Sequence, residues 1–336
     1  MRILFDGRLF TYRSTGVTTY AIDALNAINR YLPDWEVIIA APKSIDKSVE
    51  GLPLGEKIKY IVSPMLGNEN IKYRIWYEFH FPKLAKKYKV DLIWSPTPTL
   101  PLICPRHIKK MITIHDVVNI EFQNTRADSF IKRFSDTTYH SIKEADFIWC
   151  NSHYTKDKVN RYYTNRKQKE IVVACGCNTR YKKLPISESY RNEIFTEYGI
   201  KKGFYLFVGT LEPRKNLKFL LHLVPNIYKR TGYKLLVVGG KGWKNSDVYE
   251  LVKSDPIYKE AVLFCGYLSN DRLVELYNLA TCYVSTALNE GFGIPQLEAM
   301  HCGCPVISPH NSAMIEVVSG RGVTIEGWNE KNGQIR

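Results

Sequence analysis

What the 336-residue sequence lacks narrows the field first. No stretch approaches the ~18–20 consecutive apolar residues that a membrane-spanning helix needs. The start, Met1-Arg2-Ile3-Leu4-Phe5-Asp6, has no signal-peptide core and reads as a strand. The eight cysteines are scattered, and Cys175/Cys177 and Cys302/Cys304 are Cys-x-Cys pairs, not the Cys-x2-Cys pairs of a zinc site. Reduced thiols in a cytoplasm are the expectation. No P-loop, zinc or Ser-His-Asp signature occurs, and no Asp-x-Asp either. No short-period repeat or low-complexity tract is present. With 45% apolar and 24% charged residues, long disorder and collagen are excluded.

Acidic residues are the other shortfall: 47 Lys and Arg stand against 33 Asp and Glu, a net charge of +14. Residues 1–170 carry +9 of it and residues 171–336 carry +5. Such a balance suits polyanions, whether nucleic acid, an anionic membrane surface or phosphorylated small molecules, and composition does not choose among them.

The length suggests two domains, each with a sizeable core. Short apolar runs alternate with amphipathic segments, the signature of parallel α/β sheets. Strands are predicted over 1–5, 37–41, 91–94, 111–114, 147–150 and 171–174, with helices over 16–29, 72–88 (interrupted near Pro82), 130–145 and 155–163. After a loop at 175–185 the alternation restarts. Strands are predicted over 205–208, 234–238, 262–265, 282–285 and 305–307, with helices over 217–229, 271–279 and 296–301. This gives two doubly wound domains, 1–180 and 181–336. In such sheets ligands sit outside the carboxyl ends of the strands, and two facing domains would form a cleft.

The most specific segment is Asn289-Glu290-Gly291-Phe292-Gly293-Ile294-Pro295-Gln296-Leu297-Glu298-Ala299-Met300, which follows a strand and opens a helix. Glycines on both sides of Phe292 let the backbone turn sharply and approach a ligand, and helix N-terminal amides attract phosphate. A carboxylate at each end suits a ligand with hydroxyls on both sides of a phosphate, the layout of a nucleotide sugar. Equally, Glu290 read alone is a surface loop residue and Glu298 a solvated helix residue.

Glu290-x7-Glu298 enclosing Gly-Phe-Gly-Ile-Pro resembles the donor-site motif of the retaining glycosyltransferase family 4, which has the GT-B fold. Other segments agree in order: Phe207-Val208-Gly209-Thr210-Leu211-Glu212-Pro213-Arg214-Lys215-Asn216-Leu217, Phe264-Cys265-Gly266-Tyr267-Leu268-Ser269 and Cys302-Gly303-Cys304-Pro305-Val306-Ile307. Nearer the start, Thr15-Gly16-Val17 and Ile112-Thr113-Ile114-His115-Asp116 match further landmarks. The resemblance implies an N-terminal acceptor-binding domain and a C-terminal donor-binding domain. It implies that Glu290 binds donor-hexose hydroxyls beside the backbone of Gly291, Phe292, Gly293 and Ile294, and that Glu298 binds the ribose. Lys215, with Arg214 beside it, would neutralise the diphosphate. Gly16 would lie under the diphosphate, His115 near the reaction centre, and Gly266, Tyr267 and Leu268 beside the base. Glu290, His115 and Lys215 are thus the expected catalytic residues. No metal and no cofactor is expected.

The sequence departs from the family in places. Many members carry Gly-Arg at Gly209-Thr210, two glycines at Thr15-Gly16, and Pro-Ser at Thr286-Ala287. Arg214 could replace the cation missing at Thr210. The variants together look most like the bacterial mannosyltransferase-like branch, favouring a mannose-like hexose from a GDP-sugar. The family's final helices are expected to be missing, since the sequence stops at Arg336. The implied acceptor is a polyprenyl-diphosphate-linked or other cell-envelope glycan.

Rivals are a UDP-sugar-dependent transferase of the same fold, a GT-B nucleotide-sugar epimerase, and a non-catalytic nucleotide- or RNA-binding protein. No second pair of carboxylates suggests epimerase chemistry, and no RNA-module signature appears, so no nucleic-acid partner is expected. A His115-Asp116 dyad is disfavoured because neighbours on a strand face opposite ways. The helix over 72–88 mixes Trp76, Phe79 and Phe81 with Lys83, Lys86, Lys87 and Lys89. It reads either as a packed helix with a basic end or as a segment lying in a membrane interface. The second reading gives a cytoplasmic protein held peripherally at the inner face of the plasma membrane.

Overall fold

The computed structural model describes residues 1–64, 73–121, 128–164, 169–240, 242 and 246–326. The chain divides into two compact units, Met1–Gly176 and Cys177–Arg336.

Among the described residues the first unit is built on seven parallel strands: β1 (Arg2–Asp6), β2 (Glu36–Ala41), β3 (Ile58–Val62), β4 (Leu92–Ser95), β5 (Lys109–Ile114), β6 (Phe147–Cys150) and β7 (Lys169–Val172). Their spatial order is β3-β2-β1-β4-β5-β6-β7. The chain steps outward one way from β1, then returns to the other side at β4. Strands such as Ile3-Leu4-Phe5 are buried on successive residues rather than alternating, as expected of a sheet covered by helices on both faces.

An aromatic column ties the centre of this sheet. Trp94 stacks on Trp149 at 5.2 Å and meets the edge of Phe5 at 5.0 Å. Tyr20, on the helix Gly16–Tyr31, stands edge-on to Trp149 at 5.6 Å. The polar ends are satisfied: Trp94 Nε1 donates to Thr113 Oγ1 at 3.1 Å, and the Tyr20 and Thr113 hydroxyls are 3.4 Å apart.

The second unit has six parallel strands among the described residues: β8 (Phe204–Val208), β9 (Lys234–Val238), β10 (Val262–Gly266), β11 (Cys282–Val284), β12 (Val306–Pro309) and β13 (Val323–Ile325), ordered β10-β9-β8-β11-β12-β13. Its reversal falls between β8 and β11. The helix Leu217–Thr231 buries Leu217, Leu220, Leu221 and Val224, one stripe of a 3.6-residue period. Gly232 ends it at a φ of 73°, the left-handed cap glycine adopts readily.

The segment predicted as a helix interrupted at Pro82 differs in detail. A π-helical turn, Trp76–His80, precedes the helix Phe81–Lys87. Pro82, which has no N–H to give, comes just after that π-helical turn. Lys72 lies outside the described residues. The membrane-facing reading of this segment needs correction, because Trp76 and Phe81 are both 0% exposed and belong to the core. Of the three aromatics, Phe79 is exposed. The structure also contains elements that the sequence pattern did not reveal, among them β3, β13 and the helices Glu188–Glu197, Ser246–Ser254, Ile257–Ala261 and Met314–Val318.

Two loops at the carboxyl end of the second sheet approach closely at a glycine. Gly239 has a φ of 143°, and a Cβ there would stand 2.0 Å from the Gly209 carbonyl oxygen. Backbone on backbone leaves nothing to rotate away. Gly239→Ala should therefore destabilise the second unit by about 2–4 kcal/mol, read as a lower melting temperature. A wild-type melting temperature would contradict this close approach.

Candidate active site

The reversal point of the second sheet brings two loops side by side. The loop after β8 runs from Gly209 to a tight turn, Pro213–Lys215, and Asn216 joins it to the next helix with a φ of 51°. The loop after β11 carries Thr286 to Glu290. Thr286 Oγ1 donates to the carbonyls of Lys215 at 2.8 Å and Asn216 at 2.9 Å, and Leu288 N donates to Arg214 O at 2.9 Å. The threonine that departs from the family's Pro-Ser is thus the clasp between the loops.

Charged side chains meet on this clasp. Lys215 Nζ pairs with Glu290 Oε1, and Arg214 Nη1 donates to Glu290 Oε2 at 2.8 Å and to Asn289 O at 2.7 Å. Arg214 Nη2 pairs with Glu212. All four side chains are nearly buried, between 6% and 15% exposed. Burial alone would raise the Glu290 carboxyl. The Arg214 and Lys215 charges outweigh it and hold Glu290 down at about 2. The carboxylate is therefore ionised and fixed in position. The proposed replacement of a cation at Thr210 by Arg214 meets this geometry: the guanidinium is engaged with Glu212, Asn289 and Glu290 and braces them.

Beyond Glu290, Gly291, Phe292 and Gly293 are buried and Ile294 half-buried. Gly293 caps the helix Ile294–His301 at a φ of 114° and, being glycine, offers no side chain to its first amides. On that helix Glu298 is 7% exposed. It accepts the Tyr277 hydroxyl at 3.1 Å and also the Tyr181 hydroxyl. Burial, then the Glu298 charge, pushes both phenols up. Glu298 is no solvated helix residue. Its neighbour Gln296 is 1% exposed, and among the described residues neither amide atom has a hydrogen-bond partner.

The glycine turns complete the second unit's site. Gly239 N donates to Gly266 O at 2.8 Å, and Leu211 N to Gly240 O at 3.0 Å. Tyr267, 50% exposed, lies against Gly240, where a Cβ would come within 2.0 Å of its ring. Thr210 and Leu268 are half-buried in the same loops.

The first unit holds the other two expected residues. Gly16 is exposed at the start of its helix, behind a capping box between Thr15 and Thr18. His115 follows β5 and is half-buried, with the Tyr20 ring edge-on at 4.7 Å. Its Nε2 lies 2.8 Å from the Pro96 carbonyl, so that nitrogen carries the proton. Burial pushes the imidazole below its ordinary value, against the weaker opposing pull of the Pro96 carbonyl and the Asp116 charge. It is neutral near pH 7, with Nδ1 an acceptor. Sequence reasoning gave no role to Glu212, Tyr181, Tyr277 and Gln296. Glu212 had a signal, standing two residues before Arg214, whereas only the fold brings the tyrosines to Glu298.

Residues 14–181 match the family model described as Glycosyltransferase Family 4, and residues 191–332 the model described as Glycosyl transferases group 1. O-antigen chain mannosyltransferase B of Escherichia coli is 24% identical, covering 97% of this chain and 87% of its own. O-antigen chain mannosyltransferase RfbU of Salmonella typhimurium is 25% identical, over 95% and 85%. The solved structure of Anabaena HepE with UDP and glucose aligns with a TM-score of 0.71 at 18% identity, covering 97% of this chain and 86% of that one. The two parallel sheets and this likeness make the architecture GT-B.

The Glu290 ion pairs carry a pH signature. The folded-state value lies below the unfolded one, so the stabilisation is complete above about pH 4.5 and is lost as pH falls toward about 2. Its size is on the order of 3 kcal/mol. Urea unfolding of the wild type and Glu290→Gln from pH 6 to 2.5 should show the wild type's advantage shrinking across that window. A difference that stays constant would mean that the Glu290 charge contributes nothing to folding.

Proposed function

Since the chain belongs to glycosyltransferase family 4, we propose that it moves a hexose from a nucleotide sugar to a lipid-linked or other cell-envelope glycan, with retention at the anomeric carbon. The observation that carries this reading is the ionised Glu290 carboxylate, gripped by Arg214 and Lys215 at the reversal point of the second sheet. It presents a fixed acceptor for sugar hydroxyls beside a cation suited to phosphate. The O-antigen mannosyltransferases among its relatives favour mannose as the hexose, with a GDP-sugar as the expected donor, and HepE's UDP and glucose keep a UDP-sugar as the second reading.

In the proposed step the bond from the anomeric carbon to the diphosphate oxygen breaks, and its electron pair leaves with the nucleoside diphosphate. The acceptor hydroxyl bonds to the same face of that carbon and passes its proton to the departing phosphate oxygen. No protein nucleophile is needed. Lys215 and the helix amides after Gly293 would offset the growing negative charge. Neutral His115 would give its Nδ1 acceptor to a hydroxyl of the hexose.

Melting of the protein against GDP, UDP and their sugars tests the donor. A ligand at 100 times its Kd adds about 2.7 kcal/mol, so the true donor should stand out, and no shift with any of them would sink the reading. Glu290→Gln should lower transfer roughly tenfold to a hundredfold or more. Lys215→Ala should weaken a nucleoside diphosphate more than the free nucleoside. Equal losses would separate Lys215 from the diphosphate.

A lipid-linked acceptor requires the protein to reach a membrane surface. Among the described residues no helix is long and apolar enough to cross one. Exposed Ile75, Phe79, Leu102 and Ile103 line one groove in which Arg74 is balanced by Glu78, and residues 1–170 carry +9. Peripheral attachment should follow, with each cation near an anionic surface contributing ~1 kcal/mol. The protein should co-sediment with anionic vesicles at low salt and release near 1 M, where screening shortens to ~3 Å. Phe79→Asp should weaken the binding. Equal binding to neutral vesicles would defeat the electrostatic part of the account.

A further inference from the structure

The first sheet has its own reversal point, between β1 and β4. Crevices of this kind are where open α/β sheets take ligands. A polar cluster gathers on the loops that follow these two strands. Asp6, the last residue of β1, is 2% exposed. Arg8 grips its carboxylate through Nε at 2.9 and 3.1 Å and Nη2 at 2.7 Å. The guanidinium carbon lies 3.2 Å from the centre of the buried Tyr77 ring. Nη2 also reaches Thr99 Oγ1 at 3.4 Å.

The hydroxyls continue from there. Thr99 is 3.0 Å from Thr97, and Thr97 is 3.1 Å from Ser95 at the end of β4. The Tyr77 hydroxyl donates to the Thr99 carbonyl at 2.7 Å. Arg8 Nη1 has no hydrogen-bond partner among the described residues, and the side chain is 24% exposed. Tyr12, 55% exposed, lies near enough to Arg8 to bear on its charge. Pro96, between Ser95 and Thr97, supplies the carbonyl that holds His115. One short loop therefore serves both His115 and this cluster.

Charge balance decides the ligand class. A lone arginine would suit phosphate. Here the bidentate Asp6 already matches the guanidinium, and an arriving anion would face that buried carboxylate. A neutral polyol meets no such repulsion. It needs N–H donors, hydroxyls that both give and accept, and an aromatic surface, which the partly exposed Arg8, the half-buried Thr97 and Thr99, and the exposed Tyr12 ring supply.

We propose that Arg8, Thr97 and Thr99, with Tyr12 and Tyr77 beside them, form a subsite for the sugar hydroxyls of the acceptor glycan. The inference rests on the transferase reading and names the part of the acceptor this unit recognises. Arg8→Ala would strand the buried Asp6 carboxylate and endanger the fold. Thr97→Val and Thr99→Val keep the Asp6–Arg8 pair and remove one hydroxyl each, so they are the primary probes. Titrate the full chain, saturated with its nucleoside diphosphate, with the octyl glycosides of mannose, glucose, galactose and N-acetylglucosamine, and with inorganic phosphate. At least one glycoside should bind, and each threonine variant should weaken it roughly three- to tenfold. Nucleoside diphosphate affinity should not change. Arg8→Lys, which keeps the charge but loses the fork, should weaken the same glycoside. No glycoside binding, glycoside binding indifferent to both threonine variants, or phosphate binding lost in those variants would overturn the inference. Failure of the wild type to bind any nucleoside diphosphate is the separate result that overturns the transferase reading.

Discussion

The grip of Arg214 and Lys215 on Glu290 is the interaction on which the second unit's site depends. Three charges lie within hydrogen-bond reach and nearly shut off from water. Removing one would leave another buried and poorly matched, at a cost of several kcal/mol. That is why the loops after β8 and β11 stand as one piece: the ion pairs, the Thr286 clasp and the Leu288–Arg214 hydrogen bond all join the same two strands' ends. In the proposed reading a diphosphate would share Lys215 with Glu290, so its binding would redistribute an existing interaction and need no new cation.

A topological constraint sets where these groups can gather. In a parallel sheet every loop at one end follows a strand, and where the strand order reverses two such loops diverge and leave a crevice. Each unit has one reversal, β1 against β4 and β8 against β11. Both crevices hold the same kind of object: a carboxylate locked to an arginine, Asp6 with Arg8 and Glu290 with Arg214. The differences lie in what remains. Beside Glu290 stand a second cation, Lys215, and the start of the helix Ile294–His301. Beside Asp6 the surroundings are hydroxyls and aromatic rings.

Much of this was legible in the residues, and the exceptions have physical causes. The parallel alternation was readable because strands such as Phe147–Cys150 and Lys234–Val238 are nearly continuous apolar stretches between helices. The helix Glu188–Glu197 was not, because only Ile194 and Phe195 are buried and it carries no apolar stripe. The edge strand Ile58–Val62 contains exposed Lys59 and is only half-buried along much of its length, which blurs its pattern. In the site, the Glu290 motif was readable as a spacing and the resemblance grouped Arg214 and Lys215 with it, but their ion pairs to Glu290 were not readable. Arg214 and Lys215 lie some 75 residues away in sequence, and nothing local shows that they close on Glu290. Of the two readings of the segment 72–88, the packed one holds for Trp76 and Phe81, whose rings lie in the core where a π-helical turn shifts the phase of the helix.

The surplus of +14 then needs a location. The crevices do not hold it, since Arg8, Arg214 and Lys215 are each matched by carboxylates. A concentration of it lies at the opposite end of the first sheet, where the strands begin. There Arg2, Lys57, Lys59, Lys87 and Lys89 surround a cavity of about 530 Å³ against only Glu36 and Glu56. Arg2 spends its charge on Glu36 at 2.8 Å, and the lysines remain as surface charge. Such charge acts over a Debye length of ~8–10 Å at ordinary salt, too short to stabilise a ligand across a sheet but enough to draw anions toward the surface. Fixed, neutralised pairs give the crevices their geometry, and the surface lysines give the protein its long-range attraction. Separating the two lets a basic protein keep sites that discriminate by hydrogen-bond pattern instead of by charge alone.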